Sequence, residues 1–153
     1  MKLKLSAAAL GLSLFMGLAA NATHAASPDD AIKARLACMK SHGAVLKLGA
    51  PMVKGEKPFD AAALKAAYDA EDKACADWAN MWGADTQKGD KAKTDALPEV
   101  WSNAKGFADA QAALVAATPK LRAAADAKGF KAALPAFVGA CKACHEKFRR
   151  PDG

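Results

Sequence analysis

Apolar side chains after residue 27 recur at the alternating spacings of three and four residues that are typical of an α-helix. From Pro28 to about Leu48 one stripe of such positions comprises Ile32, Leu36, Met39, Gly43, Leu46 and Ala50. The segment Gly49–Pro58 that follows is rich in Gly, Pro and Lys and predicts a turn. The pattern therefore predicts a first amphipathic helix with one buried face.

A second helix is predicted to begin after Asp60, whose carboxylate can cap it, and to end near Trp82, at about the length of the first. Its inner face would carry Leu64, Ala67, Ala74, Cys75, Trp78 and Met81. The residues 83–97 contain few apolar side chains and predict a long solvated loop. Two long helices and one loop thus account for a little more than half of the chain after residue 27.

Two more helices are predicted downstream of the loop. The third begins at Pro98, and Pro119 should kink it or end it early. Its buried residues would be Val100, Trp101, Ala104, Phe107, Leu114 and Leu121. The fourth has an uncertain start because of Pro135, and its inner side would carry Phe130, Leu134, Phe137, Val138, Cys141, His145 and Phe148.

Alanine is abundant and β-branched residues are scarce, which favours an all-α fold. Four helices with mostly short connections predict an antiparallel, up-down-up-down four-helix bundle. In that topology the end of helix four lies level with the start of helix one, so His145 should come near Arg35, Met39 and Trp101, with Met81 a weaker candidate. Met52 would lie at the opposite end.

The first residues of the chain form a separate region. Lys2 and Lys4 precede an apolar stretch, Leu5–Leu18, and small residues follow it, which predicts a cleaved secretory signal peptide over residues 1–25. Residues 26–153 would then be the mature domain, exported to the periplasm and not spanning the membrane. An uncleaved anchor is the alternative.

Charge and motif content exclude several classes of function. The formal charge is +6, and removal of Lys2 and Lys4 would lower it, so no footprint for nucleic acid is expected. The sequence shows no nucleophile with its base, no phosphate-binding loop and no paired catalytic carboxylates. We therefore do not expect an enzyme. Lys142, Lys147, Arg149 and Arg150 could either neutralise a helix C-terminus or dock an acidic redox partner.

The strongest chemical signal is the C-x-x-C-H motif Cys141–His145 near the C-terminus. This motif predicts covalent haem c, because each cysteine can form a thioether with one vinyl group and the adjacent histidine can bind the iron. A zinc site would require a second ligand pair, and a redox dithiol would accompany a βαβ pattern. Haem c, attached through Cys141 and Cys144 with His145 as proximal ligand, is the prediction. A metal-binding or structural bundle without haem is the remaining alternative.

With this motif at the end of four helices, the chain resembles the class II cytochromes c, which comprise the cytochrome c' and cytochrome c-556 types. The resemblance extends over residues 29–150. It includes Arg35 followed by Met39 and Lys40, the Lys-Gly-Glu-Lys-Pro-Phe-Asp segment Lys54–Asp60, the segment Ala96–Trp101, and Glu146–Arg149 after the histidine.

The resemblance implies two branches of function that differ at the distal side of the iron. In the low-spin branch a methionine at the position of Met39 is the sixth ligand, and the protein transfers electrons. In the cytochrome c' branch that position is usually a non-ligating apolar residue, which can itself be Met, and a five-coordinate iron binds nitric oxide or carbon monoxide. The motifs look closer to the low-spin branch, so we expect electron transfer with His145 and Met39 as axial ligands. The gas-binding protein is the alternative.

The remaining expectations concern the surroundings of the haem and the partners. Arg35 could pair with a haem propionate, and Trp101 would form a wall of the pocket. His42 is expected to be an exposed surface histidine rather than an iron ligand. Periplasmic or membrane-bound redox proteins are the expected partners, and by analogy with the family helices one and two could form a homodimer face.

Two cysteines, Cys38 and Cys75, lie outside the haem motif. An oxidising periplasm favours a disulfide between them, and antiparallel helices would bring them to similar heights. A disulfide, however, requires Cα atoms closer than packed helices usually allow, and both residues could equally be free thiols in the core. The sequence leaves the two alternatives open.

Overall fold

The computed structural model describes residues 27–151, so the predicted signal peptide 1–25 lies outside the described residues. Within them the helices are α1 (Pro28–Val53), α2 (Ala61–Cys75), α3 (Glu99–Ser102), α4 (Ala104–Arg122) and α5 (Ala127–Phe148), with two short 3-10 helices at Trp78–Trp82 and Ala84–Gln87. The four long helices confirm the predicted all-α four-helix bundle, in which α1 packs mainly on α2 and α4 mainly on α5. Over the described residues no helix is long and apolar enough to cross a membrane.

Side chains with short polar groups begin each long helix. The Asp60 carboxylate accepts the Ala63 N–H at 2.8 Å, which confirms the predicted cap of α2. Ser27, Asn103 and Asp126 accept backbone N–H groups in the same way at the starts of α1, α4 and α5. These caps satisfy N–H groups that have no partner within the helix, and they explain why the helices start where they do.

The first helix is longer than predicted. It continues through Gly49 and Pro51 to Val53, where the turn begins instead of at Gly49. Gly49 is buried, and a Cβ atom at this position would clash with the ring of Phe130 on α5. This glycine therefore serves the close approach of α1 to α5 and does not break the helix. The turn itself uses Gly55, which has a φ of +76°.

The second and third helices differ from the prediction in their ends. Helix α2 ends at Cys75, and the segment up to Trp82 is a turn and a 3-10 helix, so α2 has 15 residues against 26 in α1. The predicted third helix is divided at Asn103, whose φ of −118° and ψ of 57° are not helical. Pro119 lies within α4, which ends shortly after it at Arg122.

Two apolar clusters make up the core. The larger comprises Val45, Met52, Leu64, Tyr68, Ala117, Leu121, Phe130 and Phe137. The smaller is formed by Val100, Phe107 and Phe148, with the side chains of Trp78, Trp82 and Trp101 packed against it. Met52 belongs to the larger cluster. Val138, predicted to be buried, is 42% exposed because it lies on the outer side of α5.

The loop before α3 is hydrogen-bonded to the first turn of α1 and to the segment that follows α5. The Asp29 carboxylate accepts the backbone N–H groups of Lys91 and Ala92. After α5 the chain turns back on this loop, and the Arg150 N–H donates to the Asp95 carbonyl at 2.7 Å. The loop is thus attached to the end of the bundle that carries the C-x-x-C-H motif.

Candidate functional site

A cavity of about 1280 Å³ lies between α1, α4 and α5, on the side of the bundle where α5 ends. Cys141, Cys144 and His145 of α5 line it, and Met39 of α1 lines it as well. The volume exceeds the roughly 300–1000 Å³ of a usual small-molecule pocket, which suits a ligand the size of a tetrapyrrole. The structure therefore brings the predicted attachment motif and the predicted distal residue to one cavity.

The apolar stripe of α1 forms one wall of this cavity. The residues concerned are Leu36, Met39, Gly43 and Leu46, all members of the stripe predicted from the sequence. The adjacent face of α1, with Ala31, Cys38 and Val45, is the one buried against other helices. The sequence pattern thus identified the cavity wall rather than the packed face, which explains why Leu36 is 38% exposed.

The two cysteines of the motif are half-buried and belong to no disulfide. Because residues three and four apart share a helix face, Cys141, Cys144 and His145 can all line the cavity from one turn of α5. Burial raises the pKa of the Cys141 and Cys144 thiols above the ordinary value of 9.0. Both groups are therefore neutral thiols at neutral pH before they react.

Arg35 is the buried charge of the site. Its side chain is among the most buried of the polar ones, with the residue 4% exposed, and its Nη2 donates to the Thr86 carbonyl at 2.7 Å. The guanidinium carbon lies 4.7 Å from the ring centroid of Trp82 and 5.7 Å from that of Trp101. Burial lowers the pKa of Arg35, but a guanidinium remains charged at physiological pH.

Two donors of that guanidinium, Nε and Nη1, are buried and have no hydrogen-bond partner within residues 27–151. A buried cation with unused donors is costly unless an anion is close to it. Arg35 also lines the cavity, so a carboxylate of a bound group could pair with it. The residues present therefore fit haem c, which carries two propionates and two vinyl groups.

Trp101, expected to be a wall of the pocket, does not line the cavity itself but contacts Arg35 and Trp82, which do. Its Nε1–H is directed at the carbonyl oxygens of Trp82 and Gly83, at 3.0 and 3.1 Å. The Trp82 and Trp101 rings are tilted by 55° with centroids 6.4 Å apart, so the two indoles and Arg35 form one cluster at the edge of the cavity. Trp82 and Thr86, which hold Arg35, were not predicted as site residues; the two tryptophans near the end of helix two were the available signal.

Met81 is 3% exposed, and its carbonyl accepts the Thr86 hydroxyl at 3.2 Å, as expected for a packing residue.

His42 is not the exposed residue that was predicted. Its side chain is only 16% exposed, and its Nδ1 makes a short hydrogen bond to Oε1 of Glu71. Its Nε2 lies 3.7 Å from Sγ of Cys38 and 4.0 Å from Sγ of Cys75. Both ring nitrogens face groups of α1 and α2, so His42 does not offer an iron ligand.

Glu71 is the centre of a polar cluster that the sequence did not reveal. The residue is 3% exposed, and its Oε2 accepts from Nη2 of Arg122, which also binds Asp72. Burial alone would raise the pKa of Glu71, but the hydrogen bond and charge of His42 and the charge of Arg122 outweigh it and lower that pKa below 4.5. Glu71 lies on the helix face where Leu64 and Tyr68 are buried, one turn beyond Tyr68, which was the available signal.

Cys38 and Cys75 form a disulfide in this structure, with their Cα atoms 4.9 Å apart. The usual spacing of packed helices argued against so short a distance. Cys75 is the last residue of α2, so the chain beyond it is not held at the usual distance between two packed helices. The sequence left open whether the two cysteines are bonded or free, and the structure shows the disulfide at the point where α2 ends.

Comparisons with known proteins agree with this site. A sequence profile described as Cytochrome C' matches residues 30–149. A cytochrome c' of Alcaligenes xylosoxydans xylosoxydans is 40% identical over 132 residues, covering 82% of this chain and 97% of the relative. A cytochrome c-556 of Rhodopseudomonas palustris is 33% identical over 122 residues, covering 75% and 79%.

Solved structures give the same result. The crystal structure of cytochrome c' from Rubrivivax gelatinosus superimposes with a TM-score of 0.71 at 35% identity, covering 81% of this chain and 98% of that one. A nitric oxide complex of a variant cytochrome c prime from Alcaligenes xylosoxidans has a TM-score of 0.69, also at 35% identity, and covers 82% and 98%. These neighbours are four-helix bundles with the architecture found here.

Proposed function

The chain belongs to the cytochrome c' family, and we propose on that premise that it binds nitric oxide or carbon monoxide at a five-coordinate haem iron. The cofactor is one haem c. The observation that carries the proposal is the apolar stripe of α1, which lines the same cavity as Cys141, Cys144 and His145. An uncharged diatomic gas is the kind of ligand that such a wall accommodates.

The residues have distinct tasks in this proposal. Cys141 and Cys144 would hold the haem through thioethers, and His145 would be the proximal ligand. Arg35 would pair with a propionate, while Trp82 and Trp101 hold its guanidinium in place. When bound, the haem supplies an iron that takes up a diatomic ligand on its distal side.

Met39 is assigned to the distal wall, without a bond to the iron. Its place in the stripe between Leu36 and Gly43 is that of a packing residue, and methionine fills irregular apolar space well. The comparisons favour this assignment over electron transfer with His145 and Met39 as axial ligands, because solved relatives include nitric oxide complexes. Electron transfer, which the sequence motifs favoured, is thus the weaker interpretation.

Absorption spectra of the holoprotein test the proposal. We expect high-spin bands, and a shift of the ferrous bands on addition of carbon monoxide. Met39→Leu keeps the volume but removes the sulfur, so it should leave both spectra unchanged. Met39→Ala should keep the high-spin spectrum and alter only the rate of carbon monoxide uptake. Low-spin bands that ignore carbon monoxide, and that become high-spin in Met39→Leu, would instead establish the His/Met electron carrier.

We place the protein in the periplasm, since the predicted signal 1–25 would direct export and haem attachment. N-terminal sequencing of the exported protein tests this: a mature start after residue 25 supports it, and an intact Met1 contradicts it.

A redox partner would supply the electron that keeps the iron ferrous. The exposed cations Lys142 and Lys147 next to the motif suit an acidic docking surface on such a partner.

A further inference from the structure

The cluster of Cys38, Cys75 and His42 is not explained by gas binding. Its ligand atoms, two Sγ and one imidazole nitrogen, all lie within 4.8 Å of one another. We propose that these residues form a thiol-gated zinc site. The disulfide keeps it closed, and reduction by a dithiol opens it to one Zn²⁺ bound through two thiolates and Nε2 of His42.

The positions of the sulfur and nitrogen atoms suit a tetrahedral ion. With Zn–S of about 2.3 Å and Zn–N of about 2.0 Å, a sulfur and a nitrogen on the same ion are about 3.5 Å apart. The observed separations from Nε2 of His42 are 3.7 Å to Cys38 and 4.0 Å to Cys75. Only the two sulfurs must move apart, and breaking the bond between them permits this. The imidazole is thus already close to its ligand position in the oxidised protein.

Hydrogen bonds fix the imidazole in the orientation that a metal requires. Metal-binding histidines usually donate the second ring N–H to a carboxylate, which sets the tautomer and directs the other nitrogen to the ion. Here Nδ1 is bonded to Glu71, and Glu71 is held in turn by Arg122. Glu71 is 3% exposed, so this support is built into the bundle. A disulfide that only cross-links two helices does not require a hydrogen-bonded histidine beside it.

Access to the site is also present. The haem would fill the large cavity, so access depends on the cysteines' own exposure: Cys75 is half-buried at the end of α2, whereas Cys38 is 1% exposed. An incoming thiolate therefore reaches Sγ of Cys75 more readily than Sγ of Cys38. The fourth position of the ion would be taken by water, as in other zinc sites with three protein ligands.

The reaction balances with a dithiol as the reductant. One thiolate of the dithiol attacks Sγ of Cys75, the bond between the two cysteine sulfurs breaks, and Cys38 leaves as a thiolate. The second thiol of the reductant then displaces Cys75, so two electrons pass to the protein and the dithiol becomes a cyclic disulfide. Binding of Zn²⁺ by the two cysteines and His42 releases the thiol protons.

The test uses intact holoprotein. One portion is reduced with dithiothreitol under argon and desalted, and a second portion is left untreated; both receive Zn²⁺ and are desalted again before zinc and iron are measured. We expect one zinc per haem iron in the reduced portion and none in the untreated one. Far-ultraviolet circular dichroism of the helices reports whether the fold is intact. Competition with a chromophoric chelator gives the affinity.

Variants distinguish a built site from adventitious binding. Glu71→Gln should weaken zinc binding about 10- to 100-fold, and His42→Ala by at least as much. Asp72→Asn is the matched control, because Asp72 also binds Arg122 but does not contact His42. The affinity of this variant for zinc should equal that of the unchanged protein. The double variant Cys38→Ser/Cys75→Ser should bind no zinc under either condition.

Three results would overturn the proposal. Equal zinc contents in the reduced and untreated portions would show that the disulfide does not control zinc binding. An unchanged affinity for zinc in His42→Ala would show that His42 is not a zinc ligand. Loss of the helical circular dichroism on reduction would show that the disulfide opens only when the bundle unfolds, which is incompatible with a site in the native protein.

Discussion

The guanidinium of Arg35 lies over the indole of Trp82, with its central carbon 4.7 Å from the ring centroid, while its Nη2 donates to the Thr86 carbonyl. One residue of α1 thereby binds the segment that follows α2. The same guanidinium keeps two donors available at the edge of the cavity. Arg35 thus joins the loop to the cofactor site.

Replacing Arg35 should lower the stability of the holoprotein. In Arg35→Gln the Thr86 carbonyl loses its charged donor and a propionate loses its partner, so we expect the free energy of unfolding to fall by about 1–3 kcal/mol. Unfolding in denaturant, monitored through the haem absorption bands, measures this free energy. Lys33→Gln, an exposed position on the same helix, should change stability by less than about 0.5 kcal/mol. Equal effects in both variants would contradict the role of Arg35.

The two histidines of the described chain should differ in their effect on the haem spectrum. His145→Ala removes the predicted proximal ligand, so we expect no stable, correctly ligated holoprotein. His42→Ala should leave the spectrum of the haem intact, because both ring nitrogens of His42 face groups of α1 and α2. A changed spin state in His42→Ala would assign an iron ligand to His42.

A methyl group at Gly49 should destabilise the bundle. In Gly49→Ala the new Cβ meets the ring of Phe130, which is fully buried and cannot retreat, and such overpacking costs about 1–3 kcal/mol. Gly139→Ala is the matched control, since no atom lies within 4 Å of its Cβ. It should stabilise α5 by about 0.5–1 kcal/mol. Thermal unfolding of the two variants should therefore shift in opposite directions.

Stability should depend on pH through Glu71. The pKa of this carboxyl is below 4.5 in the folded protein, so its contribution is complete above about pH 4.5 and is lost as the pH falls through the folded value. Glu71→Gln removes that contribution. The stability difference between the two proteins should be about 1–3 kcal/mol at pH 7 and should shrink below pH 4.5. A difference that stays constant down to pH 3 would disprove the linkage to Glu71.

Local patterns in the sequence were sufficient for the architecture and for the chemistry of the attachment motif. Apolar spacing predicted the four long helices, and the Cys141–His145 motif predicted haem c. Bundle topology then brought Arg35 and Met39 to the level of His145. These features depend on residues three or four positions apart or on the order of the helices, and both can be deduced from a single chain.

The helix ends and the polar clusters could not be deduced in this way. Gly49 looked like a helix breaker until the position of Phe130 showed what it accommodates. The disulfide and the contact of His42 with Glu71 each join residues of α1 and α2. Their distances depend on how closely two helices approach and where one of them ends. No periodicity along the chain encodes that approach, because it results from the packing of side chains that are distant in sequence, and only the tertiary structure decides it.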